Sequence, residues 1–381
     1  MTTRVGVNLL WLVPGQVGGS EEYWTRLLAA VGEAPAAAEL DLRLYVHPAF
    51  PEVHPALAER FETVVGGAGG SRARRVAAEA TWLARRVKDD GLAIVHHGGG
   101  TIPVRAGPRH VRQVLTVHDL QPLTFPEHFS RTKRTYLGRM LPRSVREADL
   151  VVTLTDFVAD DVHERLGVPT EKLARVPPGI QAPPSASAAD RQAVADRYRL
   201  GDRPFFLYPA ITFPHKNHLF LVHAFAVVRA RHPEALLVLT GGEGEREQLV
   251  RDAIHRLGLH DHVRRPGRIP AADLEVLYQS AAALALPSRY EGTGIPALEA
   301  MAAGCPVVAS DSTGLPEVVA DAGLLLGSRD INTWVEVLNE VLEQPALRTR
   351  LAEAGRARAR SFSWTRSADA LAGAYRRVLV E

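Results

Sequence analysis

The chain has 381 residues, 46% of them hydrophobic, with a formal net charge of +2. That length exceeds one ordinary domain, and the near-balance of charge excludes nucleic acid as the principal partner. A single cysteine, Cys305, excludes an internal disulfide, and no apolar run reaches the ~18 residues needed to span a bilayer.

From the N-terminus, short apolar runs alternate with amphipathic stretches. They predict strands at 5–10, 42–46, 93–96, 113–117 and 150–154, and helices at 21–32, 72–89, 132–148 and 157–166. Pro177-Pro178-Gly179 and then Ala182-Pro183-Pro184-Ser185-Ala186-Ser187 have linker composition. Alternation then restarts, with strands predicted at 204–208, 236–240, 282–286, 306–309 and 323–325. Helices follow at 218–231, 245–257, 271–279, 296–303, 332–342, 347–361 and 364–380. This is the pattern of two α/β domains, 1–182 and 200–361, each a parallel sheet flanked by helices, with 362–381 as a closing helix. Loops at the strand carboxyl ends then form the functional edge. Cys305 is expected to be a buried, inert thiol in an apolar strand. The opening Met-Thr-Thr-Arg leads into a strand with no signal-peptide pattern, so the expected location is cytoplasmic. The basic stretch 131–141 has charges and apolar residues at roughly helical spacing. It reads either as a solvated helix face or as a contact for an anionic acceptor or the inner membrane face.

The richest stretch runs from Pro287 to Val308. A predicted strand enters a turn, Glu291-Gly292-Thr293-Gly294, which opens a helix at Ile295-Pro296. Glycines at a helix start leave backbone N–H groups bare for an anion, and proline is tolerated in the first turn. Glu291 and Glu299 bracket that turn, and a carboxylate accepts two hydrogen bonds, as a vicinal diol requires. Phosphates with hydroxyl-rich groups on either side suit such a site, which is the shape of a nucleotide-sugar. Lys216, after the first strand of the second half, can neutralise a departing diphosphate. Gly18-Gly19-Ser20 is a second glycine turn at a helix start, and His118 ends the strand 113–117.

Glu-x7-Glu within this turn resembles the pattern of the retaining GT-B glycosyltransferases of family 4. The likeness spans nearly the whole chain. Gly18-Gly19, Val176-Pro177-Pro178-Gly179, Pro214-His215-Lys216-Asn217, Leu239-Thr240-Gly241-Gly242, Gly314-Leu315-Pro316-Glu317 and Phe362-Ser363-Trp364 fall in the family's order. The resemblance implies two Rossmann-like domains facing across a cleft, with the C-terminal helix returning to the N-terminal domain. It implies transfer of a hexose from a nucleoside-diphosphate sugar, GDP-mannose-like by preference, to a glycan, lipid-linked or small-molecule acceptor. No metal or other cofactor is implied. Glu299 would bind the ribose, and Glu291 and His118 the donor sugar. Lys216 and the amides of Gly292, Thr293 and Gly294 would face the diphosphate. Gly19, His215, Gly242, Arg268 and Ile295 would complete the donor site, with Arg268 near the base. Relatives often carry arginine where this chain has His215, which offers less charge to phosphates; Arg289 or Arg268 could compensate.

Four absences narrow the field. The chain has no Asp-x-Asp, no Gly-x4-Gly-Lys and no Gly-x-Ser-x-Gly, and Gly98-Gly99-Gly100 does not complete Gly-x-Gly-x-x-Gly. His260-Asp261-His262 reads as a polar loop rather than a metal site. Two other classes stay open at this point. One is a glycoside hydrolase using Glu291 and Glu299. The other is a nucleotide-sugar binder without turnover.

Overall fold

The structure is a computed structural model and describes residues 2–16, 18–67 and 72–380. The chain divides into two units, residues 1–179 with 362–381, and residues 180–361.

The first unit carries a seven-stranded parallel sheet. Its strands are β1 (Thr3–Leu9), β2 (Leu40–Val46), β3 (Glu62–Val65), β4 (Ile94–His97), β5 (Arg112–Val117), β6 (Leu150–Thr153) and β7 (Leu173–Arg175). They lie in the order β3-β2-β1-β4-β5-β6-β7. The central strands are buried on both faces because helices cover both, as all-parallel sheets require. The helix Gly19–Glu33 buries Tyr23, Trp24, Leu27, Leu28 and Val31, which share one stripe at helical spacing. The helix Trp364–Val380 adds Leu371, Ala372, Tyr375 and Val378 to the same core. Its entry is sterically exacting: a side chain at Gly179 would lie 2.3 Å from the Trp364 backbone nitrogen.

The second unit repeats the design with β8 (Phe205–Pro209), β9 (Leu236–Thr240), β10 (Val263–Gly267), β11 (Ala283–Leu286), β12 (Val307–Ser310) and β13 (Leu324–Leu326). The order is β10-β9-β8-β11-β12-β13, all parallel. In each sheet the winding reverses once, between β1 and β4 and between β8 and β11. Such switch points open a crevice at the strand carboxyl ends.

Three strands lie outside the predicted set: β3, β7 and β10. All are edge or near-edge strands, and β10 reads Val-Arg-Arg-Pro-Gly, a composition that signals a loop. The stretch after the linker forms a helix, Ala188–Arg197, closed by a capping box between Ser187 and Asp190. The predicted helix 72–89 is interrupted by a π-helical turn at Glu79–Leu83. Cys305 is buried, as expected, but precedes β12 rather than lying within it, and burial pushes its thiol up to about 12. Among the described residues no helix is long and apolar enough to cross a membrane.

Candidate functional site

The loops after β8 and β11 flank the switch point of the second sheet, and they carry Lys216 and Glu291. Lys216 Nζ lies 2.7 Å from Glu291 Oε1, and both side chains are largely withdrawn from water. The backbone around this pair is stitched from several directions. Tyr208 Oη donates to the Lys216 carbonyl at 2.7 Å, and Ser288 Oγ lies 2.9 Å from the same hydroxyl. Arg289 N donates to the His215 carbonyl at 2.7 Å. Asn217, left-handed at φ 60°, donates through Nδ2 to the carbonyls of Pro287 and Ser328.

Glu291 is fixed from its other side by the loop after β12. Its N–H donates to Thr313 Oγ1 at 2.9 Å, and its carbonyl accepts from Gly314 N at 3.0 Å. A side chain at Gly314 would lie 2.4 Å from the Gly292 carbonyl oxygen, so only glycine allows this approach. Gly294 then caps the helix Ile295–Ala303 with φ 72° and ψ 43°, a left-handed conformation that favours glycine. Thr293 is buried in this turn, and Pro296 occupies the first helical turn without needing an N–H partner. One turn further, half-buried Glu299 accepts from Tyr278 Oη at 2.8 Å through Oε2.

The loop after β9 brings Gly241 and Gly242 beside the residue that follows β10. Gly241, at φ 113°, donates its N–H to the Gly267 carbonyl at 2.8 Å. A side chain at Gly242 would meet Arg268 Nε at 3.3 Å, so the guanidinium lies over this glycine. His215 is buried, its ring stacked on Phe213 with centroids 5.9 Å apart, while Phe213 itself is exposed.

Gly19 and His118 belong to the first unit. Gly19 begins its helix behind Gly18, whose φ is 64°. His118 follows β5, and its ring lies 5.6 Å from that of Tyr23 and 6.2 Å from that of Trp11. Its Nε2 donates to the Gly98 carbonyl at 3.2 Å, which leaves Nδ1 as the acceptor of the neutral ring. Burial lowers its pKa to about 4. The triplet Gly98-Gly99-Gly100 is accounted for by packing: side chains at Gly98 and Gly99 would lie 2.7 Å and 2.6 Å from the indoles of Trp24 and Trp11.

Thus the structure joins Lys216 to Glu291 and Gly242 to Arg268. It holds Glu299 through Tyr278, a residue the sequence analysis did not single out. Tyr278, Thr313 and Tyr208 carry no local motif for such a role, since each reads as an ordinary helix, loop or strand residue. No group of three or more metal-ligating side chains occurs among the described residues.

Residues 17–182 match the Glycosyltransferase Family 4 domain, and residues 190–358 match the Glycosyl transferases group 1 domain. O-antigen chain mannosyltransferase B of Escherichia coli is 30% identical over 301 residues, covering 77% of this chain and 76% of that protein. D-inositol 3-phosphate glycosyltransferase of Saccharomonospora viridis is 32% identical over 245 residues, covering 62% of this chain and 57% of that protein. The fold is shared with Anabaena Alr3699/HepE, solved in complex with UDP and glucose, at a TM-score of 0.74 and 20% identity over 98% of this chain and 99% of that one. The chain belongs to the group 1, family 4 glycosyltransferases and has their GT-B fold.

Proposed function

We propose that this glycosyltransferase moves a hexose from a nucleoside-diphosphate sugar to an acceptor hydroxyl, with retention at the anomeric carbon and without a metal. The observation that carries this reading is the Lys216–Glu291 pair beside the glycine turn 292–294, at the sheet's switch point. An entering diphosphate competes with Glu291 for the ammonium. Lys216 then turns its charge to the leaving group, and Glu291 accepts hydrogen bonds from the sugar hydroxyls. Glu299, oriented by Tyr278, takes the ribose diol, and Arg268 over Gly242 lies toward the base. His118, neutral at ordinary assay pH, accepts a sugar hydroxyl at Nδ1, and Gly19 lets backbone approach the donor.

The acceptor oxygen bonds to the anomeric carbon on the face that the diphosphate leaves. The electron pair of the broken carbon–oxygen bond stays on the phosphate oxygen, which takes the acceptor proton. Lys216 and the turn amides stabilise that developing charge. Hydrolysis by the two carboxylates is weighed down by their present partners, since Lys216 faces one and Tyr278 the other. The E. coli mannosyltransferase likeness supports a GDP-mannose-like donor, with UDP- and dTDP-sugars as competitors. The helix Arg131–Glu147 exposes Arg131, Arg134 and Arg139, and Lys133 lies 4.4 Å over the Phe129 ring. That basic face supports an anionic acceptor or membrane surface as its neighbour.

The test is a thermal-shift screen against GDP, UDP, dTDP and ADP, followed by the anomeric configuration of the product by NMR. The matching nucleotide, at 100 times its dissociation constant, is expected to stabilise by ~2.7 kcal/mol. Turnover is expected to persist in EDTA. Sugar release from a glycoside with no nucleotide present would overturn the reading.

A further inference from the structure

We infer that Glu247 is a positioning residue for the donor, tying together three strand-end loops of the second unit. The inference rests on the donor site proposed above and deepens it. Glu247 opens the helix Glu247–Arg256 after β9 and is only 8% exposed. Its Oε2 accepts from Thr212 Oγ1 at 3.0 Å and from Arg265 Nη2, and its Oε1 accepts from Arg251 Nε at 2.7 Å. Thr212 lies in the loop after β8, four residues before Lys216, and Arg265 lies in β10, three residues before Arg268.

Thr212 passes the constraint on. Buried at 1% exposure, it accepts from Gly244 N at 2.7 Å through Oγ1 and from Arg246 N at 2.9 Å through its carbonyl. Its own N–H reaches the Gly242 carbonyl. Gly244 presses on it so closely that a side chain there would lie 2.8 Å from the Thr212 carbonyl carbon. One carboxylate thereby sets the spacing of the segments that bear Lys216, Gly242 and Arg268. Burial alone would push the Glu247 carboxyl up, but the Arg251 hydrogen bond and the Arg265 charge hold it below the usual carboxylate range. Arg265 Nη1 is buried without a partner, so this guanidinium depends on Glu247 for compensation.

The experiment measures GDP, UDP, dTDP and ADP dissociation constants by calorimetry, below the melting temperature of every variant, together with donor KM and kcat. Glu247→Gln is expected to weaken nucleotide binding and raise donor KM about tenfold, with kcat at saturating donor within about twofold. Thr212→Val, which keeps the charges in place, is expected to weaken binding about threefold or more, and Thr212→Ser to restore it. Asp90→Asn serves as the structural control: that carboxylate is as buried as Glu247 and is paired with Arg43 and Arg86 within the first unit. It is expected to lower Tm without moving any dissociation constant. If Glu247→Gln lowers Tm in the same way and leaves binding within twofold, the inference is wrong. Should Glu247→Gln fail to fold, unchanged binding by Thr212→Val overturns it instead. If the unaltered chain binds none of GDP, UDP, dTDP and ADP, the donor reading fails and this inference falls with it.

Discussion

The two parallel sheets place different polar chemistry at their carboxyl ends. At β4 and β5 of the first unit it is neutral and aromatic. His96 bonds to Tyr375 and Thr116, and His97 accepts from Asn8 and donates to Gln113. His118 rests on a carbonyl between Tyr23 and Trp11. In the second unit it is ionic: Lys216 with Glu291, and Arg265 and Arg251 with Glu247. On the function proposed above, the same winding serves different partners. Neutral imidazoles can order hydroxyls without the cost of burying charge, whereas a diphosphate calls for a cation whose charge is held ready.

Acid is the strongest way to separate the two units. Burial holds His97 and His118 to about 4, and His96 well below its ordinary value. In the unfolded chain they titrate near ~6.5. Between those values the unfolded chain binds more protons, so this contribution is complete above about pH 6.5 and is lost as pH falls through about 4. For His97 alone, which is fully buried, the loss is on the order of 3 kcal/mol. In the second unit His218 is lowered to about 3, mainly by burial. Unfolding followed against pH is therefore expected to show the first unit giving way at the higher pH, with His97→Gln flattening its slope. An unaltered slope in that variant would break the comparison.

Next in size is Lys216→Ala, expected to cut kcat by on the order of 10²-fold, the scale of losing one transition-state charge contact. A rate near that of the parent chain would remove the ionic half of the contrast. The smallest effect is assigned to Tyr278→Phe, which frees Glu299 Oε2 from its donor. It is expected to weaken nucleotide binding about threefold to tenfold, roughly the worth of one hydrogen bond, with little change in kcat. Binding as tight as the parent's would mean that Glu299 needs no orientation from the helix Ala271–Ser280.

Much of this was legible in the chain because its signals are local. Apolar runs such as 236–240 and the helix 218–231 coincide with observed elements to the residue. Gly294 and Pro296 mark a helix start by backbone geometry alone. The edge strands β3, β7 and β10 were not legible, since an edge strand needs little apolar sequence and takes its shape from the strand it pairs with. His215 stands where relatives often carry arginine; that its ring is buried is a tertiary outcome that the sequence around it does not encode.

By itself the amino-acid order determined the α/β alternation, the glycine turns at helix starts, and the set of charged side chains at strand ends. Each follows from periodicity or from the φ and ψ a residue tolerates. Only the tertiary structure decided who meets whom. Lys216 and Glu291 stand 75 positions apart and become neighbours because β8 pairs with β11 across the reversal of winding. Glu247 reaches Thr212 and Arg265 for a related reason, because β8, β9 and β10 lie side by side. Strand order is set by the packing of the whole sheet, and no short window of sequence contains it.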